Sequence, residues 1–177
     1  MSLASSPAAR STRGFGVATL SLLSQSLPVP ERRAALVAAA TDRGFSAHDL
    51  ANPAARIGQA LAAALAGAGL ETPPDLEDAT SDGLAAGVRA AADLPLPVQA
   101  DLHTRLGDLL TLHAEIQILH AQVETPRLRA LRELGALWRM MAERARTDTY
   151  PEDLANDVAT GLAQAFAPDL PDVPGPA

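Results

Sequence analysis

His113 and His120 stand seven residues apart in a segment otherwise rich in Leu and Ile. On a helix that spacing puts both imidazoles on one face. Imidazoles so placed can ligate a metal, or charge under mildly acidic conditions and loosen a helix contact. Glu124, four residues beyond His120, is the nearest further ligand, while His103 lies at the edge of the same seam and His48 far away in sequence. A metal centre wants more donors, and neither the His-Glu-x-x-His nor the Glu-x-x-His spacing occurs. The expectation is two neutral histidines packed in a helical seam, each with one hydrogen bond, and neither metal nor cofactor.

A second chemistry is electrostatic. Residues 127–146 carry Arg127, Arg129, Arg132, Arg139, Arg144 and Arg146 against Glu133 and Glu143. Arg129, Arg132 and Arg139 are candidates to contact an acidic partner or a phosphate. The acidic stretch Glu71, Asp75, Glu77, Asp78 and Asp82 is the complement within the sequence. All basic residues are Arg, a bias that fits a GC-rich, bacterial coding pattern and leaves no Lys for a Schiff base or a phosphate loop. There is no Cys and no Gly-x-Ser-x-Gly elbow, and carboxylate pairs such as Glu77 and Asp78 sit in Ala- and Ser-rich contexts where nothing raises a pKa. The pattern points away from an enzyme.

Residues 36–56 partly resemble a helix-turn-helix, with Ala40, Gly44, Phe45 and Leu50 at its small, turn and apolar positions. Pro53 falls late in the recognition helix, and the net charge of −7 disfavours nucleic acid as the main partner. DNA binding is therefore the alternative reading, with a small-ligand sensor as a third.

The elements that would position these residues are helices. The chain of 177 residues is 47% apolar but only 3% aromatic, so its core is built from Leu, Val, Ile and Ala, and strand-like runs are missing. The expectation is an all-α compact bundle of about six to seven helices around a long central pair. Residues 1–14 read as a flexible N-terminal arm, or less readily as a targeting segment. Residues 15–167 read as a single helical domain that opens with a short apolar helix at 15–25, and 168–177 as a Pro-rich flexible tail. No apolar run approaches the roughly 18 residues of a membrane span, so a cytoplasmic protein is expected.

The central pair is the strongest pattern. Leu102, Leu106, Leu109, His113, Ile116, His120 and Val123 alternate steps of four and three, which is a heptad seam. Thr125 and Pro126 interrupt it, and Leu131, Leu134 and Trp138 form a second seam. A hairpin and one long kinked helix both fit. The apolar seam residues Leu102, Leu106, Leu109, Ile116, Val123, Leu131, Leu134 and Trp138 are the expected contact surface of a homodimer. The function expected is that of a non-catalytic interaction or assembly protein.

Hydroxyl caps followed by an acid mark helix starts at SAHD (46–49), TPPD (72–75) and TYPE (149–152). The stretches 75–98 and 153–173 both read Asp-Leu, then Gly-Leu-Ala eight residues after the Asp, then Asp-Leu-Pro. Shared capping grammar explains this more readily than duplication.

Overall fold

A computed structural model describes residues 27–147 and 152–167. The arm expected at 1–14, the helix expected at 15–25, the cap expected at Thr149 and the tail at 168–177 lie outside them. The described residues form seven α-helices and no strand, the all-α bundle that composition and periodicity predict. None of these helices is long and apolar enough to cross a membrane.

Helix α1 (Val29–Asp42) starts with Pro in its first turn, where a missing N–H costs nothing, and with Glu31 at the positive end of the dipole. It stops at Gly44, whose φ of 77° suits a residue without Cβ. The Gly44 N–H donates to the Thr41 carbonyl and the Phe45 N–H to the Ala40 carbonyl, each at 2.9 Å, which satisfies the last turn. Phe45 then drops into the core. Ser46 and Asp49 form a reciprocal capping box at the head of α2 (Ala47–Ala51). Asn52 breaks that helix after five residues, and its side chain caps α3 (Pro53–Gly67).

The expected start at Thr72 is not a helix start. Residues 74–79 are turns, Asp75 and Ala79 hold positive φ, and Leu76 is fully buried as a plug beneath α3 and the next helix. The cap is Thr80, whose hydroxyl accepts from the Gly83 N–H at the head of α4 (Ser81–Ala90). Two prolines at 73 and 74 shift the start because they favour extended backbone before a helix can begin.

Helices α5 (Leu96–Ala121) and α6 (Pro126–Arg146) make the largest contact in the molecule. They form a hairpin, which decides between the two arrangements left open by the sequence. The chain reverses through Gln122, in the left-handed region at φ 56°, and through Thr125, which caps α6 by accepting from the Leu128 N–H. Gly107 and Gly135 let the two backbones touch. A Cβ built on Gly107 would stand 2.8 Å from the Gly135 carbonyl oxygen, and one on Gly135 would stand 2.5 Å from Thr111 Oγ1.

Helices α1, α2 and α3 pack on α5, while α7 (Glu152–Ala165) packs on α4 and α6. The look-alike stretches thus meet in space, and Leu84 and Leu162, their shared Gly-Leu leucines, are both fully buried. Their starts differ in structure: Asp75 sits in a turn and Asp153 in the first turn of α7. The common letters encode one helix-burying pattern in two local settings.

Candidate functional site

The α5–α6 hairpin has two ends of opposite character. Away from the turn, Leu106, Leu109, Leu134 and Trp138 are buried inside the single chain, Leu109 and Trp138 completely, and Leu131, nearer the turn, is buried as well. Five of the eight expected dimer residues are therefore packed in the intramolecular core. The periodicity that marks them is the same whether a helix buries its seam in its own chain or in a partner. Leu102 and Ile116 are half-buried against that core, and Val123 is 39% exposed.

Two polar contacts lock the sealed end. The Trp138 Nε1–H donates to His103 Nδ1 at 2.8 Å, with both side chains buried. Burial lowers the His103 pKa to about 4, so the ring is neutral with its proton on Nε2. Asp108 lies between Arg43, at the end of α1, and Arg139 of α6, with Nε-to-carboxylate distances of 3.1 and 3.2 Å. Burial pushes its carboxyl above the usual range against the pull of Arg139 and Arg43. The carboxylate ties three helices together at one level of the bundle. Sequence reading passed over both contacts. The Asp108 contact had a signal in LGDLL, an acid flanked by leucines inside an apolar helix.

The histidines singled out by spacing do not act together. His113 is half-buried, with Nδ1 2.5 Å from the Leu50 carbonyl oxygen, and His120 is exposed. Glu124 instead binds Arg129, at 3.4 Å, and Arg132. Among the described residues no group of three or more His, Asp or Glu side chains is placed to hold a metal. The expected charged-partner arginines all face carboxylates of their own chain: Arg129 and Arg132 at Glu124, Arg132 also at Glu115, and Arg139 at Asp108.

At the turn end, α5 emerges from the bundle as a rail between two clefts. On one side a cleft of about 660 Å³ runs between the α2–α3 junction, His113 and Gln117 of α5, Leu128 and Leu131 of α6, and Phe166 just past α7. On the other side a cleft of about 300 Å³ is floored by Val29 of α1 and by Ile118, Leu119 and Val123 of α5, with Arg32, Glu115 and Glu124 at its edge. No family model, curated protein or solved structure matches this chain. Function must be read from this geometry. The arrangement offers grooves with apolar floors edged by charge, and neither His103 nor Asp108 lines them.

Proposed function

We propose that the chain is a non-catalytic helical interaction and assembly protein that pairs with a second copy through the open end of its central hairpin. The observation that carries this reading is the apolar groove formed by half-buried Ile118 and Leu119 with exposed Val123 and Val29, on the helix whose middle leucines, Leu106, Leu109, Leu110 and Leu112, are fully covered. Apolar residues gathered in one groove and edged by both signs of charge suit a self-complementary contact. The contact moves from the whole seam, as periodicity alone suggests, to its last third.

Light scattering at two protein concentrations tests it. The expected mass is about twice 18.3 kDa, falling toward the single-chain value in Leu119→Glu or Val123→Glu with helical content unchanged. A single-chain mass at both concentrations would rule the pairing out. The DNA-binding alternative has less support, because the helix in the recognition position, Ala47–Ala51, is only five residues long and Leu50 points into the core. Salt-steep binding to duplex DNA would restore it.

A further inference from the structure

Helix α6 carries a further stripe on the face it turns to solvent. Glu133, Leu137, Met140 and Arg144 follow one another by steps of four, three and four, which keeps them within an arc of about 60° on the helix. Glu133, Met140 and Arg144 are exposed and Leu137 is half-buried. Met140, 54% exposed, is the most open large apolar side chain among the described residues. Next to the stripe a groove of about 320 Å³ runs between α6 and α7, lined by Ala130, Glu133 and Leu137 on one side and by Asp157 and Gly161 on the other.

The two charges of the stripe are not neutralised by their own chain. Glu133 and Arg144 form no ion pair among the described residues, whereas Arg129, Arg132, Arg139 and Arg146 each face a carboxylate. Eleven residues apart on one helix, they are separated by about 16 Å and cannot meet. Their order is what an antiparallel copy needs. Glu133 and Arg144 are placed symmetrically about the midpoint between residues 138 and 139, and so are Leu137 and Met140. A two-fold axis through that midpoint sets each Glu133 against the partner's Arg144 and each Leu137 against the partner's Met140. The flexible thioether chain of Met140 then enters the groove beside Leu137 and Gly161, and Asp157 adds a second acid near the incoming guanidinium.

We propose that α6 carries a second self-association surface, in which Glu133, Leu137, Met140 and Arg144 pair antiparallel with the same residues of a second copy. This surface shares no residue with the groove at the open end of the hairpin and does not depend on it. Exposed ion pairs contribute little and the apolar centre is small, so this contact is the weaker of the two and forms at higher protein concentration. A chain with two distinct two-fold contacts is not confined to a pair. Each pair joined at the open end still offers two α6 faces, and further copies add through them.

Sedimentation equilibrium of the full chain with Val123→Glu, which blocks the open end at an exposed residue, reads the α6 contact by itself. The expected mass climbs from one chain toward two as concentration rises. In that background Glu133→Arg and Arg144→Glu each set like charges at both ends of the contact and raise the concentration of half-association about tenfold. An equimolar mixture of the two returns it to the Val123→Glu value, because every mixed pair regains both opposite-charge contacts. The two reversals combined in one chain do the same at unchanged net charge. Met140→Glu, at an exposed position, abolishes association with helical content intact. A single-chain mass at every concentration, or reversals without effect, would overturn the proposal. So would a mixture that associates no better than its components, since its recovery follows from the antiparallel register. Comparison of the parent with Val123→Glu at low concentration reads the open-end pairing separately, so either idea can fail while the other stands.

Discussion

The two ends of the α5–α6 hairpin are written in the same heptad language and end in different environments. Below His113 the seam is covered by α1, α3 and α6, and Leu106 and Leu109 are fully buried. Beyond it, Ile116, Ile118 and Leu119 are half-buried and Val123 is largely open. The difference arises outside the seam. Five-residue α2 and the break at Asn52 set where α3 begins, so α3 lies along the lower part of α5, where Phe45, Ala60, Leu102 and Leu106 adjoin. An apolar stripe thus reports that a helix wants cover, whereas the lengths of the other helices decide how much of it receives cover.

The strongest way to break this comparison is to cut a side chain at each end. Leu109→Ala should lower unfolding free energy by about 2–5 kcal/mol, because it empties a fully closed site. Val123→Ala should stay within about 0.5 kcal/mol for the single chain. Urea denaturation followed by the fluorescence of Trp138, the chain's one tryptophan, gives both values. Similar losses at the two positions would mean that the ends do not differ in burial.

That contrast also explains what was legible beforehand. Caps at Ser46, Asn52 and Thr125 and the stop at Gly44 were readable because each is satisfied by atoms within a few residues. The cap at Thr80 was missed because Thr72 has the same local chemistry; only the burial of Leu76, a tertiary event, separates them. His113 and His120 share a face by spacing, yet α2 approaches one and leaves the other in solvent. The arginine pairing was illegible because it depends on Glu115, Glu124 and Asp108, which the hairpin brings beside Arg129, Arg132 and Arg139.

A somewhat smaller effect sharpens the comparison through pH. His103, sealed beside Trp138, has its pKa lowered to about 4 from 6.5. Above pH 6.5 neither the folded nor the unfolded chain holds its proton, and stability is unaffected. Between 6.5 and 4 the unfolded chain binds the proton and the folded chain does not, so stability falls as pH falls. The loss should reach about 3 kcal/mol by pH 4. His103→Gln keeps an acceptor for Trp138 and titrates nothing, so its urea midpoint should fall less steeply across that window than the parent's. Equal slopes in the two proteins would show that the sealed end admits the charged ring.

The smallest expected effect lies at the open end. Gln122 holds φ 56° at the turn, a conformation that crowds the Cβ of any residue but glycine. Its side chain is exposed at the edge of the smaller cleft, so little packing compensates the strain. Gln122→Gly should therefore raise stability by about 0.5–1 kcal/mol, since relief of the left-handed strain outweighs the greater freedom glycine gives the unfolded chain. The amide signals around His103 and Trp138 should not move, because the turn and the sealed core are separated by the length of the hairpin. Thermal melts would register the gain. A loss of stability would show that the glutamine side chain holds the turn, and that the open end of the hairpin is more tightly built than its exposure indicates.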